Sequence, residues 1–392
     1  MSKPRILFFP FPLLSHYSRC LMLAREVKDD FEIYFQEEEK FSSLITDSGF
    51  QTFSAEKFDA DEVLKHSQKF SFGWMNESLL EKIFLSQCNA IKNLNPDFVL
   101  GDVSFTLKTA AEKCGVKMIA LINGYMSKHY SLTRKISRTH PAYHYSQKLP
   151  EKFFDALTQK MEALAFRKVH APFRSIRKKY GLKKVKHYLE ELEGDSTLIC
   201  DLPDLFPQKK MPDHFTFIGP LFYEGNEEEQ KVLSQLQHEK KTILVSLGSS
   251  GDWNALRFLN EEKFSCFNII TAGDEMQILN APLIMSKKFL NNMAVLPHCN
   301  LVICHGGNGT IYQALSCGIP LLAHTSIFEQ EWNVQRLHSL GLGQSINDCS
   351  DSEELLKTIE LWMEKKIDAK IPGQISEFKK NRRETLLGVI EK

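Results

Sequence analysis

Leu301–Cys304 is a short apolar run that leads without a break into His305-Gly306-Gly307-Asn308-Gly309-Thr310. Such a run, with no polar alternation, suits a strand buried on both faces. The residues that follow predict a helix over Ile311–Ser316, closed by Gly318. A strand, a glycine-rich turn and a helix start in that order are the unit of an α/β fold with a parallel sheet. Glycines let the backbone come close to a ligand, and the N–H groups and positive dipole end of a helix N-terminus suit an anion. A diphosphate site is the natural reading. Ile319–Ala323 reads as the next buried strand. Glu329-Gln330 falls in the loop ahead of a helix over Trp332–Leu340, so that loop opens on the same sheet edge as the turn.

Taken together, His305-Gly306-Gly307, Thr310, Ala314-Leu315, Gly318-Ile319-Pro320, Glu329-Gln330 and Asn333 resemble the donor-binding signature of family 1 type glycosyltransferases, the UDP-glycosyltransferase and macrolide glycosyltransferase group. The resemblance implies an α/β chain of GT-B fold, two Rossmann-like domains with parallel sheets facing a central cleft. It implies that His305 and the turn of Gly307, Asn308, Gly309 and Thr310 hold the diphosphate of a nucleotide sugar, while Glu329 and Gln330 bind hydroxyls of the donor sugar. Gly248-Ser249-Ser250-Gly251, after an apolar run over Thr242–Leu247, resembles the family's Gly-Ser turn facing the donor phosphates and adds Gly248 and Ser249. Where many members carry a Glu that accepts from the ribose hydroxyls, this chain has Gln313, an amide that both donates and accepts. Gln313 is either a ribose contact or a surface residue of its helix. A UDP-sugar is the favoured donor and a dTDP-sugar the alternative. No cofactor or metal is expected beyond this co-substrate, since no Asp-x-Asp signature accompanies the turn.

The first half alternates in the same manner. Strands are expected over Arg5–Phe11, Phe31–Phe35, Gln51–Phe53, Phe98–Leu100 and Lys117–Ile122, with helices between them, including one from about Ser18 to Lys28. His16 is then placed at the carboxyl end of the first strand and Asp102 just past another. Sugar transfer to a hydroxyl needs a base for the acceptor proton, and His titrates near neutral pH. An orienting carboxylate holds such a base and stabilises its protonated form. His16 as base with Asp102 beside it meets both needs, and the resemblance implies the same pair, although Ser15-His16 stands where many members have Gly-His. The plainer readings are a structural His16 and an Asp102 that caps the helix beginning near Ser104, the latter compatible with catalysis.

Length bounds the organisation. A chain of 392 residues with 43% hydrophobic content is long enough for two cores. The expected parts are an acceptor-binding domain over residues 1–223, a linker over 224–240, a nucleotide-sugar domain over 241–370 and a last helix over 371–392 that returns to the first domain. Lys plus Arg and Asp plus Glu are both 49, so no overall field argues for nucleic acid. Nine Cys, an odd number without metal spacing, fit reduced thiols in a cytoplasmic protein. Pro10 and Pro12 interrupt an N-terminal run that would otherwise resemble a signal peptide.

One region stands apart in charge. Nine residues between Arg167 and Lys186 are Lys or Arg and none is acidic, and Tyr125–Pro150 also lacks acids. Such runs read either as solvated helix faces or as a peripheral contact of the 125–186 region with an anionic inner membrane face, with Phe153, Phe154, Phe166 and Phe173 adding apolar contact. The second reading goes with a small or lipophilic acceptor. The expected activity is inverting, metal-independent transfer of a hexosyl group. A sugar-nucleotide epimerase on the same fold and a non-catalytic nucleotide-binding partner are the alternatives, and His16 with Asp102 counts against both.

Overall fold

Two wholly parallel sheets organise the chain, and in each the strand order reverses beside the first strand of that sheet. The computed structural model describes residues 3–391 except 70, 141, 147, 149, 226, 249–250, 274–277 and 282–283, which leaves Ser249 outside the described residues. Contacts divide the chain into one unit of Met1–Leu221 with Phe378–Lys392 and a second of Phe222–Glu377.

The first unit holds β1 (Arg5–Pro10), β2 (Glu32–Gln36), β3 (Gln51–Phe53), β4 (Phe98–Asp102), β5 (Lys117–Ile122), β6 (Ser196–Ile199) and β7 (Phe215–Phe217). Their order is β3-β2-β1-β4-β5-β6-β7. The two-residue period of a strand sends Leu7 and Phe9 into a core with Ile83 and Phe84, and Ile6 and Phe8 into a core on the other face with Leu21 and Leu23. Leu386, Val389 and Ile390, from the helix Lys370–Ile390, complete that second core. Burying three such side chains contributes on the order of 5 kcal/mol. Arg382 secures the same segment by donating from Nη2 to the Pro220 carbonyl at 2.8 Å.

Strand β1 stops at Pro10, whose missing N–H ends the ladder in register with Asp102. The helix that follows spans Leu14–Val27 and starts earlier than the sequence suggests, so His16 sits in its first turn. No side chain caps this end, and the signal that usually marks a helix start is therefore absent from the sequence. Asp102 is the last residue of β4. Val103 then takes φ 53°, a left-handed conformation that is costly for a β-branched residue and that bends the chain immediately after the carboxylate.

The second unit holds β8 (Thr242–Ser246), β9 (Asn268–Ala272), β10 (Ile284–Lys287), β11 (Leu301–Cys304), β12 (Leu321–Ala323) and β13 (Gly343–Ser345), in the order β10-β9-β8-β11-β12-β13. Every residue of β8 and β11 is buried, as the unbroken apolar runs predict. The helix after β11 spans Asn308–Ser316 and that after β12 spans Phe328–Ser339. Asn308, Gly309 and Thr310 thus belong to the first turn of one helix, and Glu329 and Gln330 to that of the other rather than to a loop.

Candidate active site

In an open α/β sheet ligands bind beyond the carboxyl ends of the strands where the strand order reverses. That point lies between β1 and β4 in the first unit, and it is there that His16 and Asp102 meet. His16 Nδ1 is 2.9 Å from Asp102 Oδ1. The imidazole is held edge-on by Phe11, with ring centres 5.5 Å apart, and its side chain is 15% exposed. Asp102 is fully buried. Its carboxyl bonds with His16 and Arg19 leave no role for it at the start of the next helix, whose cap residue is Thr106.

Arg19 is the residue sequence reasoning missed. Its Nε donates to Asp102 Oδ2 at 2.9 Å and its Nη2 to Oδ1 at 2.6 Å, a bidentate pair. Nη1 donates to Asn123 Oδ1 at 2.9 Å, and Nη2 also lies 2.9 Å from His16 Nδ1. Burial alone would raise the Asp102 pKa, but Arg19 and His16 together outweigh it and hold the carboxyl below its ordinary value. Burial likewise works against the Arg19 charge, and Asp102 more than restores it. A signal was present: Arg19 lies amid Tyr17, Cys20 and Leu21 on a core-facing stretch, and a charge there requires a buried partner.

In the second unit the reversal lies between β8 and β11, whose ends pair Ser246 with Cys304. Gly248 follows one and His305 the other. The imidazole of His305 is packed between two glycines. A Cβ on Gly248, at φ 58°, would stand 3.0 Å from its Cε1, and one on Gly307 would stand 2.3 Å from its Nε2. Burial pushes the His305 pKa down to about 4, so at neutral pH the ring is uncharged and contributes one N–H and one lone pair. Its Nδ1 is buried without a hydrogen-bond partner. Gly307 precedes the helix Asn308–Ser316, and no side chain caps that end. A Cβ on Gly309 would meet nothing within 4 Å.

Gln313 and Gln330 of the predicted donor site, and Asn333 of the signature, bond within the protein. Gln330 is 1% exposed, and its Oε1 accepts from the N–H of Ser326 at 2.8 Å and of Ile327 at 3.3 Å, which fastens the start of its helix. Asn333 Nδ2 donates to the Gly306 carbonyl at 2.9 Å and ties that helix to the glycine turn. Gln313 is buried rather than on the surface. It accepts from Asn292 Nδ2 at 3.0 Å and donates to the Tyr223 carbonyl at 2.9 Å. Glu329 is only half-buried, and Thr310 lies in the first turn beside Gly309.

The basic region divides by burial. Phe154 and Phe173 are in the interior, and Arg177 is buried between Glu191 and Glu112, so these residues are not part of an exposed apolar or cationic face. Phe173 faces Tyr188 in the core, and helical spacing places Ile176 beside it. Along the helix Glu151–Val169, Phe153, Leu157, Met161 and Leu164 are instead exposed. Among the described residues, no helix is long and apolar enough to cross a membrane.

Residues 227–385 match the model of the glycosyltransferase family 28 C-terminal domain. The chain is 27% identical over 358 residues to the PGL/p-HBAD biosynthesis glycosyltransferase of Mycobacterium tuberculosis (strain ATCC 25177 / H37Ra), covering 87% of this chain and 80% of that relative. Among solved structures, the calicheamicin glycosyltransferase CalG4 superposes with a TM-score of 0.69 at 17% identity, over 100% of this chain and 99% of that one. The spinosyn rhamnosyltransferase SpnG, complexed with thymidine diphosphate, does so at 0.68 and 14%, over 99% and 100%. The same enzyme has been solved complexed with spinosyn aglycone, at 0.65 and 14%. The fold is GT-B, and the chain is a glycosyltransferase. The matching family model is that of family 28, so the likeness to family 1 holds at the level of GT-B glycosyltransferases.

Proposed function

We propose that this glycosyltransferase inverts the anomeric carbon, moving a hexosyl group from a pyrimidine nucleoside-diphosphate sugar to a hydroxyl of a small or lipophilic acceptor. The observation that carries the reading is the 2.9 Å contact of His16 Nδ1 with a buried Asp102 at the switch point of the first sheet. When Nδ1 donates to the carboxylate, Nε2 takes the acceptor proton as the acceptor oxygen bonds to the sugar C1. The bond from C1 to the β-phosphate oxygen breaks in the same displacement, and the diphosphate leaves with the electron pair. Asp102 is enclosed by Arg19 and His16 and so is unsuited to attack C1 itself, which supports a single displacement and hence inversion.

In the second unit the diphosphate meets the His305 ring and the first turn over Asn308, Gly309 and Thr310, where helix-end amides offset its charge and no metal ion is needed. Glu329 reads the sugar hydroxyls, and Gln330 holds the turn that presents it. Gln313 supports the ribose side through Asn292. The sequence favours uridine, while the likeness to SpnG, solved with thymidine diphosphate, supports deoxythymidine. Peripheral contact with an anionic membrane belongs to the same reading. The exposed stripe of Phe153, Leu157, Met161 and Leu164 is flanked by the exposed Lys152, Lys160, Arg167 and Lys168, a pairing of apolar and cationic groups that fits a lipid surface.

The test combines binding and turnover. Thermal shifts with UDP, dTDP and GDP identify the nucleotide, since a ligand at 100 times its dissociation constant stabilises by about 2.7 kcal/mol. His16→Ala is expected to keep that shift and to lose about 10²- to 10⁴-fold in turnover. No shift with any nucleotide, or a His16→Ala enzyme of full activity, would refute the assignment.

A further inference from the structure

His16 Nδ1 has two neighbours at the same distance and of opposite demand. Asp102 Oδ1 stands 2.9 Å away and, as a carboxylate, only accepts. Arg19 Nη2 also stands 2.9 Å away and, as a guanidinium, only donates. An imidazole nitrogen has one in-plane position, so it serves one of them at a time. When Nδ1 carries the proton it donates to Asp102, and Nε2 is left as a base. When Nδ1 accepts from Arg19 the proton sits on Nε2, and the ring cannot take one from an acceptor.

We propose that Arg19 is a positioning residue of the transfer reaction, fixing the oxygen that Asp102 presents to His16 and setting, by competition for Nδ1, which ring nitrogen carries the proton. The inference rests on His16 being the base. The guanidinium is suited to the first task because its fork fits both carboxylate oxygens. Nε and Nη2 occupy Oδ2 and Oδ1, while Nη1 is anchored 2.9 Å away on Asn123 Oδ1. His16 and Arg19 lie three positions apart on one helix, which puts both on the side facing β4. The surroundings leave little slack: Arg19 is 6% exposed, Asn123 is 4% exposed and Asp102 is fully buried. A lysine at position 19 keeps the charge but cannot span two oxygens.

The experiment uses the full chain labelled with ¹⁵N-histidine. The two ring nitrogens of His16 are assigned by their loss in His16→Ala and compared in the parent, Arg19→Lys and Arg19→Gln. In Arg19→Gln, which removes the cation, Nδ1 is expected to move toward the protonated position. In Arg19→Lys, turnover is expected to fall about tenfold or more with nucleotide affinity and acceptor KM within about twofold. Should either variant fail to fold, Asn123→Ala removes the outer anchor alone and is expected to shift the same resonances with a smaller loss of turnover. Ring resonances and turnover unchanged in folded variants would overturn the role of Arg19. A parent enzyme without transferase activity would instead overturn the base assignment, and the ring resonances would still report whether Arg19 governs the proton.

Discussion

Arg19 and Asp102 join the first helix to the fourth strand through two parallel hydrogen bonds, 2.9 Å at Oδ2 and 2.6 Å at Oδ1, between groups that are almost entirely removed from solvent. Such a pair is weak evidence of net stability, since desolvation offsets most of its attraction. Breaking it is another matter. A lone buried charge has no compensation, and the strain at Val103 persists only while the surroundings hold the end of β4 in place.

Asp102→Ala is therefore expected to destabilise the first unit by about 3–5 kcal/mol. The double change Arg19→Met with Asp102→Leu is expected to recover most of that loss while remaining without transferase activity. Urea unfolding of the full chain measures both, through the midpoint at constant slope.

Two glycines in the turn after β11 respond in opposite ways. Gly307→Ala drives a methyl group to 2.3 Å from Nε2 of His305 and is expected to displace the ring or unfold the turn. Gly309→Ala meets open space within a helix and is expected to raise stability by about 0.5–1 kcal/mol. With the diphosphate at the proposed turn, the same methyl takes up its room, and nucleotide affinity is expected to fall even as the melting temperature rises. A Gly309→Ala protein with undiminished affinity would show that the diphosphate lies elsewhere.

His305 also predicts how the protein responds to acid. Its folded-state pKa of about 4 lies below the ordinary value of 6.5, so between these limits the unfolded chain binds a proton that the folded one excludes. Stability from this group is complete above about pH 6.5 and declines as pH falls toward 4, by at most about 3 kcal/mol. Asp102, with its lowered pKa, adds to the decline in more acid solution. Denaturation midpoints at pH 7, 5.5 and 4.5 test this, and His305→Asn is expected to flatten the upper part of the slope.

The exposed stripe on the helix Glu151–Val169 predicts sedimentation with anionic vesicles at low salt. Because Phe153 and Leu164 are exposed, replacing both by Ser is expected to change stability by no more than about 0.5 kcal/mol and to abolish pelleting. Parent protein that stays in the supernatant would remove the membrane contact from the functional reading.

Much of this was legible in the sequence because the evidence is local. Unbroken apolar runs gave β5 and β11 their observed limits, and the order of His305, Gly307 and the following helix marked the second switch point. What escaped was set by contacts between distant segments. Arg19 gains its meaning from Asp102, 83 positions away, and no local pattern announces such a pair. The part Gln330 plays in its own helix start was hidden for the same reason, since its carbonyl engages backbone that the helix start creates. The apolar contribution of Phe154 and Phe173 was misjudged because composition does not say which side of a helix meets a core.

The C-terminal segment has a consequence for how the protein is made. Leu386, Val389 and Ile390 fill one core of the first sheet, yet in the chain they come after the whole of the second unit. The first sheet therefore emerges with an uncovered apolar face and keeps it until Ile390 is made, while the second unit, complete by Glu377, has all its residues earlier. A chain cut after Glu377 would hold every residue of the second unit and leave the first unit open to chaperones and proteases. Of the two units, the one whose sheet is made first is the later to be completed.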